Sequence, residues 1–448
     1  MPVVTSPAPQ GPGRVTPRVG RIGTAVGVLL CALALPWGTA GAAAAATPDP
    51  ARVGLFGSQD PTYDGAYRQS LALLALAAAD VQPPPAAVRW LQQQQCADGG
   101  WQAFRPDLDA PCAAPDSAAY AGQDVNSTGL AVQALVAVGD DAGATAGLAW
   151  LAAHQSADGG WAYYPDAAPG NVSDANSTAL ALSAFSAAGV PAPRAPGDAG
   201  PLDALLGLQV GCSGAAAEQG AFTFFGSAND YATVQATLAA AGGFLPVEAG
   251  TLEDDAPTLT CPASPAATAP DADAAAGYLV RRLQANAGVV PDPFSADAVD
   301  YGTTANAVIA LAATGHGATA ARTALAALAD DVDAYATKDG ADLPGALAVL
   351  TLAGVALDAD PADFGGTDLP TRLVATLTAA PTASPSPSVS ASAAPTAPST
   401  PTADLSDAAE LADTGSGTSP GASAVAGLAL LAAGAGLVAL ARRGTRSG

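Results

Sequence analysis

One stretch of this chain occurs twice, sixty residues apart, and that duplication limits the fold more than any other feature. The first copy, Trp90 to Trp101, reads WLQQQQCADGGW; the second, Trp150 to Trp161, reads WLAAHQSADGGW. Both share one frame: Trp-Leu, three residues, Gln, three residues, Gly-Gly-Trp. A unit that recurs at a fixed period signals a repeat architecture, in which each unit buries its apolar face against its neighbours.

Around the duplicated frame run Ala/Leu-rich segments that end on glycine. Asp124-Val125-Asn126-Ser127-Thr128 leads into a predicted helix ending at Gly139, and Asp174-Ala175-Asn176-Ser177-Thr178 into one ending at Gly189. Asp300 and Thr304 keep the same distances to Gly315. Asn229–Gly242 and Leu343–Gly354 are degenerate copies, and Asp64–Ala79 has the same texture. The polar residue before each helix suits an N-cap and the glycine a C-cap. A second set of helices is expected over 85–95, 145–155, 201–209, 271–284, 319–334 and 368–379. The first helix of the first kind has no partner before it, and the last of the second kind has none after it. Pairing these two closes a ring. The expected fold is therefore all-α, an α6/α6 toroid of alternating inner and outer helices. An open solenoid is the alternative, but solenoids carry polar terminal caps, and Tyr67–Ala79 is too apolar for one.

Both ends of the chain read as addresses. Arg14, Arg18 and Arg21 precede the apolar run Ile22–Leu35 and small residues up to Ala46, the pattern of a secretory signal peptide over 1–46. The toroid is assigned to 47–379. Residues 380–410, rich in Pro, Ser, Thr and Ala, read as a disordered stalk; about 30 residues at ~3.1 Å each reach roughly 90 Å. Residues 411–448 hold Leu411-Ala412-Asp413-Thr414-Gly415, an apolar run over 421–441 and three arginines. Such a run is long enough for a transmembrane helix, and the arginines favour a cytoplasmic end. The order resembles a Gram-positive cell-wall sorting signal of the LAxTG form used by class E sortases. That resemblance implies cleavage between Thr414 and Gly415, with Thr414 joined to peptidoglycan.

Composition narrows the partners. Six of the 16 basic residues lie in the signal peptide and the C-terminal tail, so the expected mature piece, ending at Thr414, sets 40 acidic residues against ten basic ones, a net charge of −30. Nucleic acid and anionic lipid are poor partners for such a surface. Removing Cys31 with the signal peptide leaves Cys96, Cys112, Cys212 and Cys261, which suggests two disulfides in a secreted protein. Chain order favours Cys96–Cys112 and Cys212–Cys261, although three pairings are open. None of the four has a Cys or His at zinc-ligand spacing, so no metal is expected.

The Gln-x3-Gly-Gly-Trp frame resembles the QW motif of the prenyltransferase/squalene cyclase superfamily, over residues 55–379. The resemblance implies the toroid and makes Gln95, Trp101, Gln155 and Trp161 structural clamps: the Gln is expected to bond carbonyls at its own helix end, and the Trp to fold back over that end. Phe222 and Val290 stand near the third and fourth Trp positions. Cyclases of the protonating type carry Asp-x-Asp-Asp-Thr, whose middle Asp is the general acid; here Asn126 and Asn176 occupy that place. The zinc set and diphosphate-binding basic patch of the protein prenyltransferases have no counterpart either, and His154 and His316 read as surface or capping residues.

The sequence thus points to a wall-anchored surface toroid that binds or displays a ligand without catalysis and without a cofactor. Its expected partners are a class E-type sortase, peptidoglycan, and a small apolar or glycan ligand. An enzyme of the superfamily is the alternative. The expected ligand rim comprises Asp124, Asn126, Thr128, Asp174, Asn176, Thr178, Asp300 and Thr304, with backbone N–H groups at the inner-helix starts orienting a polar ligand end. The aromatics at 161, 163, 164, 222, 224 and 225 either stack on that ligand or pack the core.

Overall fold

The computed structural model describes residues 49–379, except 167–171, 196–199, 260 and 262–270, and gives the backbone alone at 296 and 297. The signal peptide, the stalk, the apolar run 421–441 and the sorting residues Leu411 to Gly415 lie outside the described residues.

Helices alternate along the chain. They are α1 (Gly65–Ala78), α2 (Pro85–Gln94), α3 (Val125–Ala137), α4 (Asp141–Ala153), α5 (Ala175–Ala187), α6 (Pro201–Leu206), α7 (Asp230–Ala240), α8 (Ala272–Ala285), α9 (Tyr301–Thr314), α10 (Ala318–Asp330), the short α11 (Val332–Ala336), α12 (Pro344–Ala356) and α13 (Leu369–Ala375). Helices α1, α3, α5, α7, α9 and α12 each pack on the next, and α12 packs back on α1. This is a closed inner ring. Outside it, α2, α4, α6, α8, α10 and α13 lie against their inner neighbours. The twelve expected helices are thus present, with α4 starting earlier than its apolar pattern suggested and the helix expected over 319–334 broken at Asp331 into α10 and α11. None of the described helices is long and apolar enough to cross a membrane.

Small side chains make the inner ring tight. At Gly129 on α3, an added Cβ would stand 2.8 Å from the Leu180 carbonyl oxygen on α5, so the two backbones touch. Of the expected C-cap glycines, those at 139, 189, 242 and 315 have φ of 79°, 66°, 76° and 74°, the left-handed turn that stops a helix cheaply only with glycine; Gly354 instead lies inside α12, which runs on to Ala356.

The ring is sealed by its own ends. Gly54 N–H donates to the Thr378 carbonyl, Thr378 N–H to that of Leu55, and Gly57 N–H to that of Thr376, each at 2.9 Å. Two disulfides tie loops: Cys96–Cys112, with Cα atoms 5.8 Å apart, and Cys212–Cys261, at 5.6 Å. Chain order had favoured this pairing.

The all-α expectation missed three two-stranded hairpins: β1 (Thr223–Phe224) with β2 (Ser227–Ala228), β3 (Pro291–Asp292) with β4 (Ser295–Val299), and β5 (Thr337–Lys338) with β6 (Ala341–Asp342). They lead into α7, α9 and α12, and so rise on the inner-helix N-terminal face of one half of the ring.

Candidate functional site

The duplicated motif builds scaffold. Trp101 and Trp161 are fully buried. Their indole N–H groups donate to the Leu91 and Leu151 carbonyls at 2.9 and 2.8 Å, satisfying last-turn acceptors of α2 and α4. The glutamines act differently from expectation. Gln95 Nε2 donates to the carbonyl of Gly99 in its own turn (3.0 Å) and to that of Gly143 in α4 (2.9 Å). Gln155 likewise bonds Gly159 and Pro193, and Gln209 bonds Gly220 and Asp271. Each amide therefore staples its Gly turn to the start of the next outer unit, leaving the helix-end carbonyl to the tryptophan.

The threonines of the expected rim belong to the same scaffold. Thr128, Thr178 and Thr304 are fully buried, and their hydroxyl oxygens accept the backbone N–H of Trp101, Trp161 and Val290 at 2.9–3.0 Å. Thr233 does the same for Phe222 at 2.8 Å, so both decayed copies keep the clamp. The helix-start N–H groups are also occupied. Asp124, Asp174, Asn229 and Asp300 accept from Ser127, Ser177, Ala232 and Thr303 at 2.7–2.8 Å. The backbone donors expected to meet a ligand are thus capped by the protein itself.

Within the ring lies a cavity of about 1160 Å³. Of the expected rim residues it is lined by Asn126, Asp174, Asn176 and Asp300, whereas Asp124, Thr128, Thr178 and Thr304 stand behind its wall. Mid-helix Leu130, Leu180, Ile309 and Val349 form its apolar body. Leu245, held by its N–H to Gln133 Oε1 at 2.9 Å, lines it from the loop after α7. Above the apolar body runs a polar belt. Asn176 Nδ2 donates to Gln235 Oε1 at 3.0 Å, and Gln235 Nε2 donates to the hydroxyls of Tyr67 and Tyr231 at 3.2 and 2.9 Å.

Exposed aromatics stand at the mouth. Tyr63, Tyr120, Phe225 and Phe294 are 53%, 57%, 71% and 60% exposed and all line the cavity. Phe225 and Phe294 sit in the turns of β1–β2 and β3–β4. Phe225 has φ 49° and Tyr120 φ 52°, left-handed backbone that costs a bulky side chain roughly 1–3 kcal/mol and that clusters at ligand clamps. Reading by residue type had singled out Phe224, Phe225, Tyr163 and Tyr164 but missed Tyr63, Tyr67, Tyr120, Tyr231, Phe294, Tyr301 and Tyr335. These are scattered over loops and helices that only the ring brings together. Trp161 and Phe222, by contrast, are fully buried.

Burial alters the acids. Desolvation pushes Asp124 up from 3.8 to about 7 and Asp174 to about 6, against the opposing cap hydrogen bonds. Asp124 is 1% exposed, and its Oδ2 has no partner. Asp174 faces the cavity. Asp300 and Asp64 are raised by desolvation as well, Asp64 despite Arg68 at 3.0 Å. Among the described residues no group of three His, Cys, Asp or Glu is placed to hold a metal. His154 stacks on Trp150 at 4.1 Å, and His316 bridges Asp255 and Asp273 at 2.8 and 3.3 Å, both away from the cavity.

No protein-family model and no curated protein matches the chain. Among solved structures, ent-copalyl diphosphate synthase from Streptomyces platensis is similar with a TM-score of 0.40 at 18% identity, over 66% of this chain and 50% of that one. The chain thus spans about half the length of that synthase. The type II terpene cyclase MstE from Scytonema gives 0.40 at 16% identity, over 65% and 75% of the two chains. A variant of it in complex with geranylgeranyl dihydroxybenzoate gives 0.40 at 14%, over 72% and 93%. The toroid stands on the ring contacts themselves, and its function on the cavity.

Proposed function

We propose that the chain is a surface-displayed binding protein whose ligand occupies the central cavity. The observation that carries this reading is the cavity: about 1160 Å³, apolar in its body, polar in its belt and ringed by exposed aromatics. Concave, mostly apolar sites with a few fixed polar groups are what small molecules select. Display at the cell wall is supported by sequence alone, through the signal peptide, the stalk and Leu411–Gly415. Native mass spectrometry of residues 47–410 secreted from the native host tests the reading. A reproducible extra mass is expected. A bare protein that also gains no mass from the host's medium sinks it.

A second reading, acid catalysis on an apolar substrate, draws on one observation: Asp174 lines the cavity with its carboxyl raised to about 6, the shift a general acid needs. Against it stands the amide of Asn126 and Asn176 at the place of the cyclase acid. Turnover of a polyprenyl substrate that is lost in Asp174→Asn, with binding intact, would establish it; binding without turnover removes it.

A further inference from the structure

The cavity wall is uneven in a way that selects a ligand class. Every tyrosine of the chain except Tyr278 lines it. Rings meet there at close range: Tyr163 and Tyr164 at 4.5 Å, Phe224 and Phe225 at 4.4 Å, Tyr301 and Tyr335 at 5.9 Å. Beside them stand the carboxylates of Asp60, Asp64, Asp174, Asp292 and Asp300, against Arg68 and Lys338 as the only basic residues of the wall among the described residues. Arg68 is already paired with Asp64 at 3.0 Å. Two of the five carboxylates, Asp174 and Asp300, also cap the positive ends of inner helices, as the Asn229 amide does on α7; set against Arg68 and Lys338, the wall still holds three more acidic than basic residues.

The belt's hydrogen bonds are largely spent within the protein. Asn176, Gln235, Tyr67 and Tyr231 bond one another, Gln133 holds Leu245, and Asn306 bonds the Gly302 carbonyl at 2.8 Å. A sugar needs directional donors and acceptors, which the belt has already used. A cation needs π faces and negative charge without fixed direction, and both remain. Asn126 Oδ1, buried and without a partner, adds an acceptor.

The geometry points to a ligand with a hydrocarbon tail and a positively charged head, seated tail-first against Leu130, Leu180, Ile309 and Val349 with the head among the tyrosines and carboxylates. This rests on the cavity being a binding site. Anionic amphiphiles are excluded by the same charge.

Three probes with one tail separate the possibilities: decyltrimethylammonium, decyl maltoside and decyl sulfate, each titrated below its micelle concentration into the secreted chain, residues 47–410, by calorimetry. The ammonium should bind about thirtyfold tighter than the sulfate and tighter than the maltoside. Asp300→Asn keeps the helix cap and should weaken the ammonium roughly tenfold, and the maltoside by much less. Phe225→Ala, on an exposed hairpin tip, should weaken it severalfold with folding intact. Equal binding of the three heads, or preference for maltoside or sulfate, overturns the cationic head but keeps the cavity as a site. Failure of all three, with a bare mass in the native host, overturns both.

Discussion

Gln235 on α7 donates a hydrogen bond to the Tyr67 hydroxyl on α1 at 3.2 Å, and α1 and α7 stand opposite each other in the six-helix inner ring. One side-chain pair therefore spans the ring's diameter. With Asn176 and Tyr231 it joins three inner helices through a single amide.

Removing that amide should be felt as a broken network. Gln235→Leu leaves Asn176 and two tyrosine hydroxyls short of partners, which costs roughly 1–3 kcal/mol. Denaturant unfolding should show this loss, and the double variant with Tyr67→Phe should lose less than the sum of the single changes. Full additivity would mean that the bridge carries no energy.

The clamp threonine is a stability element. Thr178→Val keeps the shape but removes the acceptor for the Trp161 N–H, an expected cost of roughly 1–3 kcal/mol. Thr178→Ser should recover most of it. Ligand affinity should stay unchanged in whatever fraction folds, because Thr178 lies behind the cavity wall.

Asp124 makes stability depend on pH. Burial raises its carboxyl from 3.8 to about 7, so the folded chain binds this proton more tightly than the unfolded chain does. Its contribution is whole below about pH 4 and declines as pH rises to about 7. Asp124→Asn keeps the cap and removes the ionisable group. Relative to the parent, it should gain about 2–4 kcal/mol at about pH 8 and little or nothing below about pH 4. Parallel unfolding curves of parent and variant across that window would refute the assignment.

Phe225 should trade stability for binding. Phe225→Gly relieves the left-handed strain at the hairpin tip and should stabilise the fold by about 1 kcal/mol. The same change removes a mouth aromatic and should weaken ligand binding. Thermal unfolding and calorimetry on one sample read both; a variant neutral in both would remove Phe225 from the site.

Reducing both disulfides is expected to cost about 3 kcal/mol for the shorter closed loop and about 4 kcal/mol for the longer. The Cys96–Cys112 link, with a separation of 16 residues, and the Cys212–Cys261 link, with 49, can be tested separately by paired Cys→Ser changes and denaturant unfolding.

What could be read from the chain followed the reach of each signal. Periodic features survived: the Asp-to-Gly spacing marked three inner helices with their caps, and the unpaired first and last helices implied closure. Roles fixed by distant partners did not. Gln95 has the same four-residue offset to Gly99 whether it caps its own helix or staples the next, and only Gly143, 48 residues on, decides. Thr128 looks like a rim residue until Trp101, 27 residues back, is found bonded to it. The hairpin at β5–β6 carried an Asp339-Gly340 turn signal, and both residues adopt positive φ, as such turns require. At β1–β2 a phenylalanine fills the place where Asn or Asp is usual, so Gly226 alone marked that turn.

The seam that joins residues 54–57 to 376–378 makes the first and last repeats neighbours. The molecule therefore has no structural beginning. A gene opened at another outer loop, with the old ends fused by a short linker, would encode the same set of helix contacts. Synthesis order matters in the opposite sense, since no partial chain can finish the circle. Where a solenoid grows repeat by repeat from any nucleus, this ring gains its last interface only when its final helix arrives.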